Sequence, residues 1–454
     1  MPGQLKWLGI DFRRLRGSLR LIRADYLNIW LGRLVFWGGA IGVGSLAVLF
    51  AELSSTLSQK FTLTAAQYPW LPFLVTPLGG AACIWLIRRY FAGAEGSGIP
   101  QTQAEMRRPQ HWTQWRPLLS LRIVFGKICI GAGAVGCGFS LGREGPCVQI
   151  GASLMNAIHG FLPTTLGIQR NHLLVAGGAA GIAAAFNAPL AGILFAIEEM
   201  NRGVETRLSG LIITAIVLSG VTAQALMGSG GNFFGDSILL VGGGGDQLKA
   251  VALAVLVCGV SGGIFSRILV LGATSWRGPL ALFRNEYPIR FAALCGLLVA
   301  ALGFVSDGAS FGSGLEQTKS LLEAEGNLPW YFGPAKFVAT LTAYLSGLPG
   351  GIFAPSLSIG AGLGHNLAPL LHQADAPAML LALCMAGFLA AVTQAPITSF
   401  VIVMEMVGGY SIVLSLMTVS LLSSWVSRFF SRPLYATLAN AMIEKQRPTS
   451  GGGG

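Results

Sequence analysis

Along the chain, long apolar runs alternate with short polar or basic interruptions. Charge-free stretches cover 34–51, 61–87, 171–197, 208–235, 250–266, 291–306, 337–374 and 406–427. A straight crossing of a bilayer needs about 20 apolar residues. Some runs are shorter than that, others much longer, and Gly and Pro break several. The pattern predicts tilted, re-entrant or interrupted helices, which a bilayer tolerates where protein or a watery cavity covers the backbone. Composition points the same way. Of 454 residues, 53% are hydrophobic and only 11% charged, against roughly a quarter charged in an average soluble protein. Mean hydropathy is +0.63. The reading is an all-α polytopic membrane protein.

Charge changes the picture mainly at the ends. Lys6, Arg13, Arg14, Arg16, Arg20, Arg23 and Arg33 crowd the segment 1–33, and Arg428, Arg432, Lys445 and Arg447 follow the last apolar run. The positive-inside rule then puts both termini in the cytoplasm. A basic stretch precedes the first apolar run, so no signal peptide is recognisable. These flanks account for much of the net charge of +11. The cysteines at 83, 129, 137, 147, 258, 295 and 384 lack metal-type spacing and are expected as small core residues. No metal site, nucleotide fingerprint or nucleic-acid motif stands out. The segment 449–454 reads as a linker or cloning scar.

The chain repeats itself. GREGPCVQIGASL from Gly142 and GIFAPSLSIGAGL from Gly351 share Gly, Pro, Ile, Gly, Ala and Leu at the same steps. GSGIPQT at 96–102 matches GSGLEQT at 312–318, and NAPLAGILFAIE at 187–198 matches QAPITSFVIVME at 394–405. Three matches in one order, at nearly one spacing, predict two homologous membrane halves, 34–235 and 247–428, followed by a C-terminal helix over 432–448. Residues that serve packing alone should survive in both halves. Glu198 recurs as Glu405 and is expected to anchor a helix end. Glu144 falls opposite Phe353, and Glu199 opposite Met406. These two unpaired carboxylates are the functional candidates, because an ionisable group in a membrane segment costs roughly 2.5–3.5 kcal/mol on insertion scales.

GSGIP, GREGP and GIFAP each combine glycines with a proline suited to the first turn of a helix. Each is expected as a loop that enters a helix. Helix starts present unpaired N–H groups and partial positive charge, so several aimed at one place make an anion site. Dipoles and hydroxyls hold an anion loosely enough for it to leave again.

These residues resemble the CLC family of chloride channels and chloride/proton exchangers, over Gly96 to Tyr435. The three turns stand intact and in order, and RPLY at 432–435 matches the family's tyrosine near the chain end. The resemblance implies two inverted repeats in a homodimer with one pathway per subunit. It implies a secondary antiporter of the bacterial inner membrane that exchanges chloride for protons and carries chloride as its ligand, with no cofactor. By residue, it implies that Ser97 and Tyr435 donate hydroxyls to the anion, and Ile352 and Phe353 their backbone N–H groups. Glu144 would be the outer gate, a carboxylate that competes with the anion until protonation moves it away. Glu199 would be the inner proton acceptor; passive channels of the family usually lack an acid there. Ser97 points to chloride rather than nitrate, and Cys147 stands where relatives often carry Thr or Ser. The rival reading within the family is a passive chloride channel. Serine motifs at GVSG (259–262) and GASFG (308–312), with His365 and His372 as bases, raise an intramembrane enzyme only weakly, since nothing in the sequence brings base and serine together.

Overall fold

The computed structural model describes residues 12–109, 115–163, 167–200, 210–227, 234, 245–323, 328–371 and 378–447. The basic side chains of Lys6, Arg13, Arg14, Arg16, Arg20 and Arg23, the His372 ring and the 449–454 segment fall outside that description.

Helices run in order: α1 (Phe12–Gln67), α2 (Pro72–Tyr90), α3 (Ile99–Met106), α4 (Leu121–Gly136), α5 (Glu144–Ile158), α6 (Arg170–Phe186), α7 (Pro189–Phe195), α8 (Gly210–Met227), α9 (Gly245–Thr274), α10 (Pro279–Glu286), α11 (Pro288–Val305), α12 (Leu315–Leu322), α13 (Phe332–Leu345), α14 (Phe353–Leu367), α15 (Ala378–Thr393), α16 (Pro396–Val407), α17 (Val413–Ser427) and α18 (Leu434–Lys445). A π-helical turn, Ala196–Met200, continues α7. Helices α2–α8 recur in order and in approximate length as α11–α17, so the fold is two inverted repeats of intramembrane helices.

Among the described residues, five helices are long and apolar enough to span a membrane; Asn28–Gln67 is one of them. This helix therefore runs beyond the charge-free stretch that ends at 51. The helix carries on through Glu52 and Lys60, because neither a glycine nor a proline interrupts 52–67. The C-terminal helix is shorter than the expected 432–448: Pro433 precedes its first turn, and it ends at Lys445.

The centre is built of helices too short to cross a bilayer. Every residue of the 16-residue α15 is buried, and so are fourteen of the seventeen in α6. Helices that touch on all sides must approach closely, and small residues allow it. A Cβ at Gly151 would overlap the carbonyl of Gly177, where α5 meets α6. Gly360 plays the same part between α14 and α15, where a Cβ would come within 2.5 Å of the Cys384 carbonyl. Five cysteines are buried as expected, but Cys129 is exposed on α4 and Cys137 half-buried just beyond it. The apolar character of α4 reflects a lipid-facing side there, not a core position.

The repeats meet at their signature turns. Gly142 and Gly351 exchange both backbone hydrogen bonds, at 2.7 and 2.6 Å, as an isolated antiparallel bridge. Equivalent residues that pair with each other lie on a pseudo-two-fold axis. That axis passes between GREGP and GIFAP.

Candidate anion and proton site

Three helix starts converge beside the bridge. Gly98, at φ 108°, caps α3; Arg143 precedes α5; Ile352 precedes α14. Glu144 is completely buried. The Ala354 N–H, in the first turn of α14, donates to its Oε2 at 3.3 Å, while Oε1 has no hydrogen-bond partner. The carboxylate thus lies across the start of the other repeat's helix, a position suited to an anion. Ile352 and Phe353 immediately precede Ala354, where helical geometry leaves N–H groups without an internal acceptor.

The flanking glycines have separate jobs. A Cβ at Gly142 would collide with Glu144 Oε2, so this glycine makes room for the folded-back carboxylate. A Cβ at Gly145 would collide with Ser97 Oγ and come within 3.1 Å of Gly351 Cα. Gly145 therefore lets the GSGIP turn and the opposite repeat close in, rather than freeing the glutamate.

The Ser97 and Tyr435 hydroxyls are buried and face each other closely enough to interact, yet neither is in a hydrogen bond of good geometry. Two orphaned buried hydroxyls beside helix starts fit a small anion as their missing partner. The Tyr435 ring stacks on Phe353, with centroids 6.0 Å apart and planes 13° apart. Phe186 and Phe195 close the other sides of Phe353, at 6.1 and 6.3 Å. Tyr435 stands within electrostatic reach of both Glu144 and Glu199.

Glu199 is buried on the π-helical turn. Gln103 Nε2 donates to its carbonyl at 3.0 Å and to its Oε1 at 2.8 Å. Its neighbour Glu198 faces elsewhere. The N–H groups of Ile397 and Thr398 and the Thr398 hydroxyl donate to Glu198 at 3.1, 2.7 and 2.8 Å. Leu190 and Ala191 donate likewise to Glu405, at 3.2 and 2.7 Å. Each recurring glutamate caps the helix start of the opposite repeat. The expected anchor is real, and it is reciprocal.

Sequence reasoning missed three residues. Lys127 is fully buried and donates to the Gly96 carbonyl. Lys336 is fully buried and donates to the carbonyls of Ser310, Phe311 and Gly312 at 3.0, 3.1 and 2.7 Å. Each lysine ties down a GSG turn. The signal was present, since the two lie 209 positions apart as lysines in matching helices. Gln103 carried no comparable mark. The enzyme reading gains nothing: the His365 ring interacts with the Leu328 carbonyl at 3.1 Å, and Ser310 with the Ser306 hydroxyl at 2.9 Å.

Comparison with known proteins agrees with this geometry. A family model described as voltage gated chloride channel matches residues 79–428. The chain is 33% identical over 405 residues to the H(+)/Cl(-) exchange transporter ClcA of Cronobacter sakazakii, covering 84% of this chain and 82% of that one. Among solved structures it resembles a slow cyanobacterial Cl-/H+ antiporter, with TM-score 0.76, 24% identity, and 91% and 98% of the two chains covered. A CLC-type fluoride/proton antiporter aligns with TM-score 0.71 and 21% identity, over 91% and 98% of the two chains. At such identities the structural likeness speaks for the fold. With a family model across most of its length and a relative one-third identical, the chain belongs to the CLC family of voltage gated chloride channels and their exchanger relatives.

Proposed function

We propose that this protein exchanges chloride for protons across the bacterial inner membrane, with Glu144 as the gate shared by both ions. One observation carries the reading: the Glu144 carboxylate accepts from the Ala354 N–H at the start of α14, in the seat an anion would take. A protonated carboxyl loses its charge and with it most of its hold on that helix start. It then yields the seat, and chloride follows. Lower pH on the gate side should therefore speed chloride movement.

In this reading the Ser97 and Tyr435 hydroxyls and the N–H groups of Ile352 and Phe353 hold the anion. Glu199 receives the proton from the cytoplasmic side, steadied by Gln103. Tyr435, within electrostatic reach of both acids, stacks on Phe353, and Phe186 and Phe195 pack on Phe353 in turn. Apart from the Tyr435 hydroxyl these rings offer a proton nothing, so water completes the route. The membrane halves are 34–235 and 247–428, with both basic termini in the cytoplasm.

A homodimer with one pathway per subunit completes the assembly. Helices α7 and α16 are too short to cross a bilayer, yet with the π-helical turn after α7 they expose Leu190, Ile197 and Ile397. A second copy would cover them without the mismatch that lipid imposes.

The test is reconstitution into liposomes with chloride and proton fluxes recorded together. An outward chloride gradient should drive protons inward against their own gradient. Chloride flux with no uphill proton movement would instead identify a passive chloride channel.

A further inference from the structure

The second repeat rebuilds the GSG turn on the other side of the Gly142–Gly351 bridge, feature by feature. Gly96 and Gly98 have φ of 67° and 108°; Gly312 and Gly314 have 62° and 84°. Thr102 Oγ1 donates to the Gly98 carbonyl at 2.9 Å, and Thr318 Oγ1 to the Gly314 carbonyl at 2.9 Å. Lys127 anchors the first turn and Lys336 the second. A helix follows each, and a serine sits at the centre of each. What differs is the setting. Ser97 is buried at the heart of the molecule, whereas Ser313 is half-buried and opens on a cavity of about 590 Å³.

The facing wall of that cavity is polar. Ser54, Ser58 and Thr62 stand four residues apart on α1, so they share one face of the helix. Ser54 Oγ is buried and has no hydrogen-bond partner. The stripe touches the turn itself, since a Cβ at Gly312 would come within 2.6 Å of Ser58 Oγ. Arg143, the residue directly before Glu144, lines the same cavity. Glu52, Glu316 and Lys319 add charge of both signs; all three are exposed at the rim.

We propose that the Gly312–Ser313–Gly314 turn, the start of α12 and the Ser54 hydroxyl form a second anion site, from which chloride passes Arg143 to reach Glu144. This rests on the chloride reading of the Ser97 turn and extends it by the pseudo-two-fold. The ligand is a small monovalent anion, since the donors are one turn and neutral hydroxyls, with the Arg143 charge on the same wall. Glu316 replaces the proline of the first turn and stands on the rim, where its charge tempers the affinity and hastens release.

Bromide anomalous scattering from crystals of the intact protein tests the site directly. Peaks are expected beside Ser97 and Tyr435 and beside Ser313. A peak at Ser97 alone would overturn this inference and leave the proposed function standing; no peak at either turn would count against both. Ser313→Asp puts a carboxylate in the seat and should abolish only the second peak. A Ser313 peak that survives it would show that the turn does not hold the ion. Sided chloride titrations supply the functional arm. Ser313→Asp should raise half-saturating chloride about tenfold from the Ser313 side, equivalent to about 1.4 kcal/mol, and leave the Ser97 side unchanged. Glu316→Gln, an exposed change that spares the fold, should lower it from the Ser313 side alone. Equal shifts on both sides, or no shift in either variant, would overturn the assignment.

Discussion

The GREGP and GIFAP turns pair with each other and share a glycine, a proline and a helix that follows, yet only one carries an acid. Glu144, the first residue of its own helix, reaches across to that of its counterpart, at Ala354. Phe353 fills the matching position and packs into an aromatic cluster. The same contrast runs through the molecule. Lys127 and Lys336 recur, Glu198 and Glu405 recur, and so do the left-handed residues that end α6 and α15, Asn187 at φ 53° and Gln394 at φ 56°. Glu144 and Glu199 do not recur. Where α16 is a plain 12-residue helix, its counterpart turns π-helical at 196–200. Such turns concentrate at functional sites, and this one sends two adjacent glutamates to different neighbours. Lys127 and Lys336, and Glu198 and Glu405, hold turns and helix starts in both repeats, and on the proposed reading the two acids without a counterpart carry the protons.

Breaking that division should give its largest effect at the gate. On the proposed reading, Glu144→Gln removes both the competing charge and the proton carrier. Chloride flux should persist, lose its dependence on pH, and carry no protons, as read by paired electrodes on liposomes. Continued uphill proton movement would place the gate elsewhere. The aromatic counterpart is the control: Phe353→Leu should leave proton coupling in place, because it alters packing but removes no titratable group.

The lysine pair comes next. Replacing Lys336 by Met strips buried turn carbonyls of their donor, at a cost of about 1–3 kcal/mol for each group left unsatisfied, whereas in Lys127→Met the Gly96 carbonyl keeps the Gly350 N–H as a donor. Lys336→Met frees three carbonyls and should lower the thermal stability of detergent-solubilised protein more than Lys127→Met does. Lys127→Met should in addition weaken chloride binding, since its turn carries Ser97; the order is checked by scanning melts beside calorimetry with chloride.

Smaller still, Tyr435→Phe removes one neutral hydroxyl, a net of about 0.5–1.5 kcal/mol. Chloride affinity measured by calorimetry should fall by a few-fold and flux should continue. Unchanged affinity would remove the hydroxyl from the anion site.

Much of this was legible in the sequence, for definable reasons. Turn chemistry is local, so GSGIP, GREGP and GIFAP showed as helix entrances, and internal comparison marked Glu144 and Glu199 as unmatched. Glu198 could be read as an anchor because it recurs. Partners across space could not be read. Nothing local tells Glu198 that its helix start belongs to α16, or brings Gln103 to Glu199. The buried lysines are a nearer miss, since a lysine at the same step of two matching helices is itself a signal. The length of α1 is not legible in the charge-free runs, because Glu52 and Lys60 end such a run without ending a helix. Cys129 was assigned to the core because lipid-facing and core positions look alike in composition when the surrounding solvent is itself apolar.

Adjacent residues put the division to its most direct trial. Protons moved per chloride should be measured in Glu198→Gln and in Glu199→Gln, reconstituted side by side. Glu199→Gln should lose proton coupling while chloride still moves under the control of Glu144. Glu198→Gln should lose stability, as a weakened cap on α16, and keep the full proton ratio in the protein that folds. Coupling lost in Glu198→Gln and kept in Glu199→Gln would contradict the account.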